Sequence, residues 1–274
     1  MSEVINKTSQ AWWRPSLLII ISAILHVLLF IAVVFRPDLW KWLFALLISN
    51  HLLIAMVGLW PRSNWLGPNW TKLPAAAAYR NEIALTIDDG PEPTVTPKVL
   101  ELLDSLNVKA TFFCIGDKVA QHPELCREMI RRGHAIENHS QQHKLYFSLF
   151  GTNSITHEIV AAQETIANIT GIRPGFFRAP AGLRNLFLDP VLNRLGLRLA
   201  SWTIRGFDTK FKDAEKVKNK LLSRLHPGAI LLLHDGNAAR TKEDIPIILA
   251  VLPSLLAEAK KANLHFVTLK QASL

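Results

Sequence analysis

Only two cysteines occur in 274 residues, and they neither establish nor exclude an oxidising compartment. Cys114 lies in the apolar run ATFFCIG, and Cys126 shares a helical face with Leu125, Met129 and Ile130. Both read as small buried hydrophobes. Internal repeats are absent, which excludes a stacked-repeat architecture, and the one low-complexity tract is Ala75–Ala78. Charge is absent from two long stretches: residues 16–35, SLLIIISAILHVLLFIAVVF, and residues 42–60, WLFALLISNHLLIAMVGLW.

As helices these uncharged runs each rise about 30 Å, the thickness of a bilayer core. A cleaved signal peptide has a shorter apolar region and a small-residue cleavage site, and no second span follows it. The expectation is a transmembrane hairpin joined by RPDLWK, preceded by a tail over residues 1–15 and followed by an interfacial linker over residues 61–81. Seven of the eight tryptophans, Trp12, Trp13, Trp40, Trp42, Trp60, Trp65 and Trp70, bracket the two runs, as an interfacial aromatic belt does. His26 and His51, the latter beside Asn50, fall at the same depth of an antiparallel hairpin. Polar groups there need partners, and interhelical hydrogen bonds are the expected ones.

Positive charge sets orientation over short flanks. Lys7, Arg14, Arg62, Lys72 and Arg80 lie on one side of the hairpin, and only Arg36 and Lys41 on the other. The excess places the large domain on the cytoplasmic face of a bacterial-type inner membrane, the alternative being the periplasmic or extracellular face. Net charge is +9, of which the part after Arg80, with 24 basic and 20 acidic residues, carries +4. That balance argues against nucleic acid as a partner. The densest basic stretch, Arg205 to Arg224, also holds Asp208, Asp213 and Glu215. It reads as a solvated helix face, or as a contact with anionic lipid headgroups.

From residue 82 onward, seven apolar β-prone segments recur at 82–88, 110–115, 134–138, 175–178, 197–204, 228–234 and 264–268, mostly separated by helical patterns. Thr96-Pro97 and His122-Pro123 mark helix starts, and Pro246 and Pro253 must start or bend the long helix near the end. This alternation predicts an α/β fold, a parallel sheet or barrel, in which ligands bind at the C-terminal strand ends. The polar residues collect there. Asp88 and Asp89 end the first segment, and Gly90-Pro91 then turns the chain. Glu137, Asn138, His139 and His143 end the third, Arg178 the fourth, and His234 and Asp235 the sixth, with Trp202 and Asp208 at or after the end of the fifth.

Two adjacent carboxylates repel each other and are costly to bury. HSQQH (139–143) offers two imidazoles four residues apart, and two histidines with one carboxylate make a three-ligand hydrolytic Zn²⁺ site with an open position. Such a metal resolves the aspartate pair. One carboxylate binds it, and the other stays free as a base beside a cation such as Arg178.

TIDDGP (86–91), HSQQH (139–143), RAPAG (178–182), WTIRGFD (202–208) and LLLH (231–234) occur in the order of the polysaccharide deacetylases. Over 82–268 the chain resembles this family, the NodB-homology domain of carbohydrate esterase family 4. The two apolar runs lie outside the resemblance. It implies a distorted (β/α) barrel with about seven strands that removes N-acetyl groups from sugars with a divalent metal, usually Zn²⁺. By resemblance, Asp89, His139 and His143 hold the metal, Asp88 is the general base, Arg178 tethers it, His234 is the general acid and Asp208 orients that acid. The backbone N–H near Ala181 helps hold the oxyanion, and Trp202 and Arg205 contribute to the substrate wall. The chain departs from the family in three places: Ala181 replaces a frequent aromatic residue, Arg205 an acidic one and Thr209 a tryptophan.

The expected function is therefore a membrane-anchored hydrolase acting on an N-acetyl or N-formyl amino sugar, within a polysaccharide or linked to lipid, with membrane lipids as further partners. The competing expectation is a non-catalytic glycan-binding or assembly protein on a deacetylase scaffold. A dead scaffold has no physical reason to keep Asp88, Asp89, His139, His143 and His234 together.

Overall fold

The computed structural model describes residues 12–274; Lys7 and most of the tail lie outside them. The two uncharged runs form α1 (Leu17–Phe35) and α2 (Trp40–Gly58), joined by a 3₁₀ turn over Pro37–Leu39. Ser16 caps α1, its hydroxyl accepting from the Ile19 N–H. Helix α2 starts before residue 42, because Lys41 is helix-compatible although charged, and stops short of Trp60, which precedes Pro61 and is disfavoured from helix. Both helices are long and apolar enough to cross a membrane.

Polarity in the hairpin is inside out. Ile21, Phe30, Phe44 and Met56 are exposed, whereas Ser22 and Asn50 are buried, with Asn50 Nδ2 donating to Ser22 Oγ at 2.7 Å. His26 and His51 meet edge to face, ring centroids 5.2 Å apart. They do share a depth, but each Nδ1 pairs within its own helix, with the Ser22 and Leu47 carbonyls. The interhelical hydrogen bond is thus made by Asn50 rather than by the histidines.

The rest of the chain alternates helices and strands. After α3 (Ala75–Tyr79) come β1 (Glu82–Gly90), α4 (Thr96–Ser105), β2 (Thr111–Cys114), α5 (Gly116–Gln121), α6 (Pro123–Arg131) and β3 (Ala135–Asn138). Then follow α7 (Thr152–Thr170), β4 (Phe176–Phe177), α8 (Leu188–Leu195), β5 (Arg198–Leu199), β6 (Ile204–Arg205) and α9 (Ala214–Leu222). The chain closes with β7 (Ile230–His234), α10 (Ile247–Lys261), β8 (His265–Phe266) and α11 (Leu269–Ala272). All pairings are parallel, in the order β5-β4-β3-β2-β1-β7-β6, with β8 beside the start of β1.

The segment 197–204 is not one strand. It divides into β5 and β6, which occupy opposite edges of the sheet, so residues 200–203 cross from edge to edge. A link that short holds the two edges close together, which curls the sheet into a distorted barrel. Trp70 seals the seam: its N–H donates to Leu199 O and its carbonyl accepts from Ser201 N–H, both at 2.9 Å. Trp70 also meets Phe176 edge to face. It therefore leaves the aromatic belt and joins the barrel core, as do the linker residues Leu73 and Ala77.

Strand periodicity sorts the core into layers. Ile83, Leu85 and Ile87 of β1 pack with Leu231 and Leu233 of β7 against α4 and α10 residues such as Leu100, Leu103 and Val251. Ala84, Ile230 and Leu232 face the other way, with Phe113 and Trp202. By the same parity Thr86, Asp88 and His234 face the barrel interior, and Asp88 stands in register beside His234. Pro246 starts α10 and Pro253 lies within it, and His122-Pro123 opens α6. Thr96 does not cap α4: the cap position is Val95, and the Thr96 hydroxyl instead donates to Asp235 at 2.5 Å. Cys114 and Cys126 are buried and free.

Candidate active site

A regular strand would point Asp88 and Asp89 to opposite faces. The pairing of β1 with β2 slips between Asp88 and Gly90, and Asp89 has a left-handed backbone with φ +72°. This bulge re-aims Asp89, so both carboxylates enter one pocket. The bulge does what was expected of a Gly90-Pro91 turn; β1 itself runs on through Gly90.

Asp88 is held by the barrel seam. Arg178 Nη1 lies 2.6 Å from Asp88 Oδ1 and 2.9 Å from Thr86 Oγ1. Its Nε and Nη2 donate to the carbonyls of Ala200 and Ser201, and its guanidinium stacks on Phe113, 4.1 Å from the ring centre. Asp88 Oδ2 stays on the pocket side, 3.8 Å from His139 Nε2.

The HSQQH loop is fastened by its own polar residues. Asn138 Oδ1 accepts from Ser140 N–H, Ser140 Oγ from His143 N–H, and Glu158 from Gln142 N–H. His139 Nδ1 donates to the Arg178 carbonyl at 2.8 Å, which aims Nε2 at the pocket. His139 Nε2 and His143 Nε2 lie 3.3 and 3.2 Å from Asp89 Oδ1. Asp89 Oδ2 accepts from Asn237 Nδ2 at 2.9 Å, whereas Asp89 Oδ1 is buried without a hydrogen-bond donor. The three donor atoms lie within 4.8 Å of one another, so the set fits a divalent metal. Burial opposes ionisation of Asp89, yet the histidines outweigh it and hold its pKa far below the usual carboxylate range. Burial, then the neighbouring His139, brings His143 down to about 4, which keeps it neutral and able to bind a metal.

On the opposite side, His234 Nδ1 pairs with Asp208 Oδ1 at 2.9 Å, and Asp208 Oδ2 accepts from the His234 backbone N–H. Burial disfavours the imidazolium, but the Asp208 carboxylate outweighs it, and the His234 pKa is raised. The pocket, about 200 Å³, is lined by Asp88, Asp89, His139, His143, Ala181, Trp202, Arg205 and His234, among others. Asp208 lies behind His234, and Arg178 behind Asp88. Several residues at the site have left-handed backbones: Asp89, Ser140, His143, Ala181 and Phe207. Such conformations concentrate at functional sites.

Three further strand-end residues of the sequence reading do not line the pocket: Asn138, which fastens the HSQQH loop, Glu137 and Asp235. Glu137 Oε2 accepts from the backbone N–H groups of Gly175 and Phe176 at 2.7 Å and fastens β4. Asp235 pairs with Thr96, and burial pushes its carboxyl up to about 7. Sequence reasoning missed Asn237, Thr86 and Lys118, whose ammonium donates to the Asp89 carbonyl at 2.9 Å. Only Asn237 carried a signal, three residues beyond His234.

A sequence model described as polysaccharide deacetylase matches residues 76–200. A chitooligosaccharide deacetylase of Azorhizobium caulinodans is 38% identical over 57% of this chain and 75% of its own. A peptidoglycan-N-acetylglucosamine deacetylase of Bacillus cereus is 34% identical over 69% of this chain and 86% of its own. The chain belongs to the polysaccharide deacetylase family. A further relative of this deacetylase-family chain, the peptidoglycan-N-acetylglucosamine deacetylase PgdA of Listeria monocytogenes, is 33% identical, and the chain spans only 42% of its length. Among solved structures, the peptidoglycan N-acetylglucosamine deacetylase Bc1960 superposes with a TM-score of 0.67 at 26% identity, covering 74% of this chain and 92% of its own. A CE4-family pseudoenzyme, BA3943 of Bacillus anthracis, shares the fold with a TM-score of 0.63 at 20% identity.

Proposed function

We propose that this protein is a membrane-anchored, metal-dependent hydrolase that removes the N-acetyl, or N-formyl, group from an amino sugar of a glycan, either polymeric or lipid-linked. The observation that carries the reading is the buried, donor-free Asp89 Oδ1 between two imidazole nitrogens, with Asp88 and His234 on either side. The relatives named for peptidoglycan and chitooligosaccharide deacetylation support the same substrate class.

Asp89, His139 and His143 would hold the ion, Zn²⁺ being the metal best suited to this nitrogen and oxygen donor set. When bound, it supplies a Lewis acid that polarises the amide carbonyl and acidifies water. Asp88 takes the proton of the attacking water on Oδ2, since Arg178 fixes Oδ1. Water adds to the carbonyl carbon, and His234 delivers a proton from Nε2 to the leaving nitrogen as the C–N bond breaks, because Asp208 holds Nδ1. The N–H near Ala181 assists with the oxyanion, and Trp202 and Arg205 wall the sugar. The products are a carboxylate and a free amine.

The anchor is the α1–α2 hairpin, with residues 82–268 as the catalytic domain. Its outward apolar and inward polar faces support membrane insertion, and the charge bias of its flanks supports a cytoplasm-facing domain. Purified protein supplied with Zn²⁺ should release acetate or formate from an N-acylated amino sugar. Release from no such sugar would leave the non-catalytic alternative.

A further inference from the structure

The catalytic pocket is smaller than the roughly 300–1,000 Å³ typical of ligand sites, but another cavity adjoins it. A second cavity of about 550 Å³ shares Trp202 and Arg205 with it. The second cavity is built from three places in the fold. Trp60, Pro61 and Arg62 come from the point where the chain leaves α2, Ile204 and Arg205 from β6, and Lys220, Ser223 and Arg224 from the end of α9 and the residues after it. Four of its lining residues are cations and none is an anion.

Arg205 is the informative member. Asp88 neutralises the neighbouring Arg178, but Arg205 has no ion pair among the described residues. Its Nε is buried with no hydrogen-bond partner. Its guanidinium lies 5.5 Å from the Trp202 ring centre and 5.2 Å from that of Phe207. A half-buried cation with an orphaned donor is costly unless an anion completes it. Lys220 sits over the same Phe207 ring, and Arg62 is anchored by a hydrogen bond to the Thr203 carbonyl at 3.1 Å.

Position identifies the anion. Pro61 touches the active-site loop: a Cβ on Gly182 would lie 2.8 Å from Pro61 Cβ and 2.6 Å from the Trp202 ring. Gly58, the last residue of α2, approaches the same loop, the Arg184 N–H donating to its carbonyl at 3.1 Å. The cavity therefore opens at the end of the hairpin, where a membrane spanned by α1 and α2 would present its lipid phosphates. An exposed Trp60 stands at its mouth, suited to an apolar tail on one side and polar groups on the other.

We propose that this second cavity is a phosphate subsite for an amino sugar linked through phosphate to a membrane lipid. Arg205, Lys220, Arg224 and Arg62 bind the phosphate, the tail leaves past Trp60, and the N-acyl group reaches the metal pocket. The proposal rests on the deacetylase reading and adds to it the class of substrate.

The test uses the full chain with Zn²⁺ in phosphatidylcholine nanodiscs. Two substrates are compared, N-acetylglucosaminyl polyisoprenyl phosphate and the phosphate-free oligomer chitotetraose. The wild type should prefer the phosphate-linked sugar in kcat/KM. Lys220→Ala and Arg224→Ala should each reduce that preference about tenfold, the value of one charged hydrogen bond. Loss of both activities by one common factor, or no preference in the wild type, would overturn the subsite and leave the deacetylase reading standing. Turnover of neither substrate would sink the deacetylase reading instead. The subsite is then read from quenching of tryptophan fluorescence by polyisoprenyl phosphate, whose binding should weaken about tenfold in Arg224→Ala; equal binding overturns it. Phosphatidylglycerol added to the nanodiscs separates the two sources of lipid phosphate. Weak competition supports a substrate site, whereas competition equal to that of polyisoprenyl phosphate marks a general headgroup site and overturns the proposal.

Discussion

In the hairpin, the buried polar residues are Ser22 and Asn50, joined by one neutral hydrogen bond of 2.7 Å. In the barrel, they include charged groups: Asp88 against Arg178 at 2.6 Å, Asp208 against His234 at 2.9 Å, and Asp89 beside two imidazoles. A neutral pair inside an apolar hairpin adds little stability and serves to set register. Buried ion pairs recover their desolvation cost only with near-complete hydrogen bonding; the Asp88–Arg178 and Asp208–His234 pairs have it, whereas Asp89 Oδ1, in the catalytic pocket, does not. The contrast teaches where function sits. Both regions bury polarity, but only one leaves a charged oxygen without a donor.

The comparison can be broken at several points. The largest effect should come from Asp88→Asn, which keeps the shape and removes the proposed base; turnover should fall about 10²–10⁴-fold in an acetate-release assay, with bound metal unchanged. Substitution of Arg178 by Met leaves Asp88 buried without its partner. It should destabilise the domain by about 3–5 kcal/mol, measurable as a lowered midpoint in denaturant, and a smaller loss would mean that the seam tolerates a bare carboxylate.

Asp208→Asn should alter a pH profile. Because Asp208 raises the His234 pKa above the ordinary 6.5, the acid form persists to higher pH. Without that carboxylate the pKa falls, so the alkaline limb of kcat/KM should move to lower pH, and an unmoved limb would remove His234 as the proton donor. The smallest effect is expected in the hairpin. Asn50→Leu should cost about 0.6 kcal/mol by thermal unfolding in detergent and leave turnover unchanged.

The site was legible in the sequence because each of its motifs sits at a strand end, where parity and register bring Asp88 beside His234. Its finer geometry was not. Nothing local announces that Asp89 adopts a left-handed backbone or that Asn237 holds its second oxygen, since both depend on elements far apart in the chain. The division of 197–204 into β5 and β6 was hidden for the same reason: its partners are distant in sequence, among them Trp70, which read as a belt residue and instead pairs with Leu199 and Ser201. In the hairpin, hydropathy located both helices but missed their ends by two residues at α2, where turn chemistry and Pro61 decide.

The most direct test pairs Asp88→Asn with Asp89→Asn, measuring Zn²⁺ content and deacylation in the same preparations. The division of labour between the two carboxylates predicts that Asp88→Asn retains the metal and loses turnover, while Asp89→Asn loses metal first and turnover with it. Equal loss of metal in both variants, or full turnover in Asp88→Asn, would contradict it.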